Sequence, residues 1–153
     1  VDKIIDEVPG RKETPNYSDY EVDSSVPHSL DEDFTHKRPC GFSIDGSYYK
    51  VNSMREILVR TCTILAKRDL QKFNSLVGDK NMKGRKIQYF GFDEVIENGV
   101  PGTQKVPGTM IYVWVNLNCN QISDVLMAIL QKFNVKHDKF KIYLKADYND
   151  LHI

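Results

Sequence analysis

Thr109-Met-Ile-Tyr-Val-Trp-Val-Asn-Leu117 leads through Asn118 into an apolar stripe at Ile122, Val125, Leu126, Ile129, Leu130 and Phe133, and then into Lys139-Phe-Lys-Ile-Tyr-Leu-Lys145. The first run is dense in β-branched and aromatic residues, which suit a half-buried pleated surface, and it predicts the best strand of the chain. The stripe repeats every three and four residues, as one face of a helix must, so a helix is expected over 121–133. Asn118 with Gln121 has the spacing of a capping box. The last run alternates Phe140, Ile142 and Leu144 toward a core with lysines and Tyr143 outward, a strand with one wet face. Strand, helix and strand in succession predict a right-handed crossover that sets the two strands parallel in one sheet.

On the amino side of that unit, Gly41-Phe-Ser-Ile44 and Ser47-Tyr-Tyr-Lys-Val51 flank Asp45-Gly46, a dipeptide favoured in type I′ turns, and read as a β-hairpin. Tyr48 and Tyr49 must then point to opposite faces. Ser53 with Glu56 three residues on is expected to form another capping box, and Met54, Ile57, Leu58, Thr61, Ile64 and Leu65 carry helical spacing over 54–67. A second helical segment over 70–77 offers Leu70, Phe73, Leu76 and Val77 on one face and ends at Gly78. A short strand is expected over 87–90, a helical turn or irregular piece over 92–96, and a long loop or extended β excursion through the glycines and prolines of 98–108. The order ββααββαβ belongs to the α+β class, expected here as one mixed β-sheet with helices on one face.

The formal net charge is zero, yet the charges are divided. Residues 1–36 hold ten acids against three bases, a net of −7, whereas residues 37–153 hold 18 bases against 11 acids, a net of +7. Pro9, Pro15, Pro27 and Pro39 interrupt the acidic part, so 1–37 is expected to be a flexible acidic linker or tail and 38–153 a basic α+β domain. Leu30 and Phe34 are the residues able to dock this leader, which would carry Asp31, Glu32 and Asp33 over a basic surface. The chain begins at Val1 rather than Met, which fits a piece of a longer protein with an upstream domain.

Several classes lose support. No apolar run has the roughly 18 residues of a spanning helix and the amino end is charged, so a cytoplasmic location is expected. Cys40, Cys62 and Cys119 are odd in number and widely spaced, and the four histidines are scattered, so reduced thiols, no metal and no cofactor are expected. Neither a nucleophile elbow nor a phosphate loop occurs. The acids worth considering for a metal-dependent nuclease are Asp93, Glu94 and Glu97 beside Lys86, but a strand-borne acid followed by acid-x-lysine is missing. Recognition without catalysis is the chemistry expected of such a chain.

Lys67, Arg68, Lys72, Lys80, Lys83, Arg85 and Lys86 face only Asp69 and Asp79 within twenty residues, a net of +5. Phosphates are the expected ligands of such a stretch, with Tyr89, Tyr112 and Trp114 as the rings on which bases would stack. Alternation places Tyr112 and Trp114 on one face of their strand.

Pro39-Cys-Gly-Phe-Ser-Ile-Asp-Gly-Ser-Tyr-Tyr, Ser53, Ile57-Leu58, Gly84-Arg-Lys, Tyr89-Phe90, Gly108-Thr and Tyr112-Val-x-Val-Asn116 resemble an accessory module attached to bacterial restriction, defence and mobile-element proteins. The resemblance spans about residues 38 to 146 and rests on packing and turn residues. It implies a DNA-associated or protein-docking role and transfers no catalytic residue. The expected function is thus that of a non-catalytic nucleic-acid-associated binding domain, with DNA favoured over RNA. The alternative is a protein–protein interaction or oligomerisation module whose acidic leader docks on a basic face.

Overall fold

The computed structural model describes residues 23–85, 87–94 and 102–145. Strands β1 (Pro39–Ile44) and β2 (Ser47–Lys50) form the expected hairpin, with both turn residues left-handed, Asp45 at φ 51° and Gly46 at φ 86°. Helix α1 (Met54–Arg68) starts at Ser53, whose side chain accepts the Glu56 N–H. The Glu56 carboxylate reaches past the cap to the Asn52 N–H at 2.8 Å, so the spacing marks the start without closing the reciprocal box. Helix α2 (Leu70–Asn74) is shorter than expected, the chain leaving it through turns as far as Gly78. Helix α3 (Cys119–Lys132) carries the full capping box between Asn118 and Gln121.

Both helices and strands are present in quantity, and the chain is an α+β protein. The strands nevertheless form two small antiparallel sheets instead of one mixed sheet. In the first, β1 lies between β2 and β6 (Phe140–Leu144); in the second, β5 (Tyr112–Trp114) lies between β3 (Phe90–Gly91) and β4 (Thr103–Lys105). The parallel pairing expected on either side of α3 does not form, because β5 and β6 belong to different sheets. Both edges of each are already used. One edge of β6 takes β1, and the other exchanges two backbone hydrogen bonds with His28, at 2.8 and 2.9 Å to and from Ile142. The edges of β5 take β3 and β4, the latter being the β excursion foreseen within 98–108.

The long strand expected over 109–117 is also cut back. Thr109 is spent on the turn after β4, its hydroxyl donating to the Val106 carbonyl at 2.8 Å and accepting the Ile111 N–H at 3.0 Å. Only Tyr112–Trp114 then remains for the ladder.

One apolar cluster joins the two sheets and the helices. Phe42, Ile44, Phe140 and Ile142 from the first sheet, Phe90, Ile111, Val113 and Val115 from the second, and Ile57, Leu58, Leu65, Val125, Leu126 and Ile129 from the helices all belong to it. Leu30 and Phe34 belong to it as well, exposed by 1% and 0%. From Asp23 onward, therefore, the acidic segment is not a free tail. His28 is fully buried with Nδ1 2.9 Å from Glu32 Oε1, and the Ser29 N–H donates to the other carboxylate oxygen at 2.8 Å. No helix among the described residues is long and apolar enough to cross a membrane.

Candidate nucleic-acid interface

The basic stretch begins where α1 ends. Asp69 both stops α1 and starts α2, its carboxylate accepting the Lys72 N–H at 3.0 Å, so Lys67 and Arg68 stand one turn away from Lys72. Bases in the last turn of a helix are favoured by the partial negative charge of its carbonyl end. Arg68 reaches back to the hairpin turn, Nη1 lying 2.7 Å from Asp45 Oδ2 with both side chains largely exposed. Lys72 places its ammonium 5.6 Å from the centre of the Phe133 ring, just past the end of α3. The last turn of α3 closes the group, since Lys132 Nζ lies 2.7 Å from Asp79. This hydrogen bond, with the Asn81 N–H and the charges of Lys132 and Lys80, holds the Asp79 carboxyl below its usual range.

Beyond Asp79 the chain doubles back. The Tyr89 N–H donates to the Met82 carbonyl at 2.9 Å, Lys83 bridges Gln88, and the Gly84 N–H donates to the Ile87 carbonyl at 2.8 Å. Buried Met82 roots this small finger, while Lys80, Lys83 and Arg85 are exposed on it. Lys86 lies outside the described residues. Among the described residues, Lys67, Lys80, Lys83 and Arg85 form no ion pair, whereas Arg68 does. The two acids of the stretch are both engaged, Asp69 as a cap and Asp79 with Lys132, and neither forms an ion-pair contact with these four cations.

The expected rings are placed unequally. Tyr89 is half-buried at the root of the finger, with its ring across Gly84, so it does stand beside the bases. Burial, and secondarily the charge of Asp124, pushes its hydroxyl above the usual tyrosine range. Tyr112 and Trp114 share the face of the second sheet opposite the core residues Ile111, Val113 and Val115, as alternation requires. Trp114 is only 5% exposed, with its six-membered ring against Gly102, and offers no open indole face to a base. Tyr112 is half-buried on the central strand of the second sheet, between Gly91 and Lys105.

Two other groups of residues bear on function. Asp93 and Glu94 are exposed just after β3, and Glu97 and Lys86, the other members of that acidic group, lie outside the described residues. Of the acids expected to dock with Leu30 and Phe34, Asp33 is held at the start of α3. Asp33 accepts from Asn120 Nδ2 at 3.0 Å, and Asn120 Oδ1 accepts the Phe34 N–H at 2.9 Å, in the first turn of α3. Lys132 and Lys72 stand at the last turn, about 18 Å away along the axis.

Tyr48 and Tyr143, strand-borne aromatics that the sequence did not single out as binding residues, lie on β2 and β6, and their rings meet edge to face at 5.4 Å on the outer side of the first sheet. The outward alternation of both runs was a readable signal; their adjacency required knowing that β1 sits between them. Compared with family models, curated proteins and solved structures, the chain matches none.

Proposed function

We propose that this chain is a non-catalytic nucleic-acid-associated binding domain, an accessory module of a larger bacterial protein, that takes phosphates on the finger and helix ends between Lys67 and Arg85. The observation that carries this reading is the set of exposed cations, Lys67, Lys80, Lys83 and Arg85, that have no ion-pair partner among the described residues, with the half-buried Tyr89 at the root of the finger. Phosphate oxygens are the ligands such cations serve, and the counterions they release make binding steep in salt. DNA is the form of nucleic acid we favour, on the resemblance to modules of restriction and defence proteins. A leader that masks this surface finds no support in the described residues, because Asp33 is committed to the opposite end of α3.

Fluorescence anisotropy with a labelled oligonucleotide, titrated over a range of salt, tests the reading. About five phosphate contacts give a slope of log affinity on log salt near −4. A slope near zero, or no binding at low salt, overturns it.

A further inference from the structure

The outer face of the first sheet is a second surface, distinct from the basic finger. Register places Lys50, Gly41 and Tyr143 in one row across the three strands, and Tyr48, Ser43 and Lys141 in the next. Neighbouring strands are about 4.8 Å apart and same-face residues along a strand about 7 Å, so these six positions form a compact grid. The tyrosines occupy one diagonal and the lysines the other. No residue of β1, β2 or β6 is acidic.

Gly41 is what lets the rings meet. A Cβ there would lie 2.0 Å from the Tyr48 hydroxyl oxygen and 2.7 Å from a ring carbon, so the hydroxyl end of the Tyr48 ring covers the bare backbone at the centre of the grid. Tyr143 abuts it at an interplanar angle of 68°. The ring is nonetheless 55% exposed, a large aromatic surface left facing water, and Lys50 is exposed beside it. On the inner side of the same strands, by contrast, Tyr49 stacks on Phe42 at 5.3 Å within the core. A ring backed by the strand beneath it, more than half exposed and bracketed by lysines suits the stacking of a base with phosphates on either side.

We infer that the Tyr48–Tyr143 face binds single-stranded nucleic acid, stacking an unpaired base on Tyr48 while Lys50 and Lys141 meet the flanking phosphates. This rests on the reading of the chain as a nucleic-acid-binding domain and adds the strand form: bases in a duplex are stacked on one another and cannot lie on the ring, whereas the finger can hold phosphates of either form.

The full chain is tested with an oligonucleotide of about ten nucleotides, single-stranded and as a duplex, the single strand also carrying a fluorescent base analogue at its centre. Tyr48→Ala and Tyr143→Ala should each weaken single-strand binding by roughly tenfold and abolish quenching of the analogue. Tyr48→Phe should preserve both. Duplex binding by all three variants should match the parent, which also shows that they are folded. Single-strand affinity unchanged in both alanine variants overturns the inference. So does duplex binding without single-strand binding by the parent chain, which leaves the proposed function standing; binding of neither form overturns both. Equal loss for duplex and single strand in Tyr48→Ala also overturns it, since stacking is then not what the ring supplies.

Discussion

Lys132 and Asp79 meet at 2.7 Å where the last turn of α3 passes the loop leading into the basic finger, with the Asp79 side chain mostly shielded and that of Lys132 partly open. Asp79→Asn removes the charge but keeps an acceptor for the Asn81 N–H, so the loss is that of a partly screened pair, about 0.5–1 kcal/mol. The folded carboxyl titrates below its unfolded value, so the pair's contribution is present above the unfolded value of about 3.9 and is lost as pH falls through the folded one. Urea denaturation should show the parent more stable than Asp79→Asn at neutral pH, with the gap closing toward pH 3.

Phe34→Ala tests whether the acidic segment is structural. Phe34 is fully buried, and its N–H is held by Asn120, so truncation leaves a cavity that the anchored backbone cannot readily close. A loss of about 3–5 kcal/mol in urea denaturation is expected. A loss under 1 kcal/mol would mean that this segment is not a fixed part of the domain in solution.

Lys80, Lys83 and Arg85 changed together to Ala should leave stability nearly unaltered, each being exposed and within about 0.5 kcal/mol of neutral. Affinity for nucleic acid should fall at least about tenfold at low salt, and the salt slope should flatten by about two to three units. An unaltered slope in a folded variant would move the phosphate contacts elsewhere.

Gly102→Ala probes the seat of the single tryptophan. At φ 153° an added side chain is strained, and its Cβ would lie 2.8 Å from the rigid Trp114 ring. Strain and clash together should cost about 1–3 kcal/mol. Because the chain has one Trp, its emission reports the site directly, and a shift to longer wavelength is expected as the indole is pushed toward water.

The thiols should separate by burial. Cys62 is fully buried and its thiol is pushed well above the usual range by loss of solvent, while Cys40 and Cys119 are partly accessible. A thiol-reactive dye should label the latter two in the folded protein and Cys62 only after unfolding.

Local chemistry was the legible layer. Asp45-Gly46 declared its turn, Ser53 and Asn118 their helix starts, and Ile122 to Leu130 the buried side of α3, because each is decided by neighbours within a few residues. The basic run from Lys67 was visible too, although that Arg68 is paired to Asp45 and Lys132 is drawn in by Asp79 was not, these partners being distant in the chain. Trp114 looked suited to stacking because its strand position said outward; that Gly102 would lie against its ring is a contact between strands with no local signature.

The sequence by itself determined the α+β class, the helix caps, the hairpin and which side of each strand is apolar, since periodicity and turn residues act over one or two turns of chain. Only the tertiary structure decided how strands were shared between sheets. β6 carries a pattern that suits several partners, and which backbone reaches each of its edges depends on packing: β1 takes one side, and the other goes to His28, drawn there with Leu30 and Phe34 because burying them outweighs leaving an acidic segment loose. That choice breaks the expected parallel pairing and, by setting β1 between β2 and β6, brings Tyr48 and Tyr143 together over Gly41.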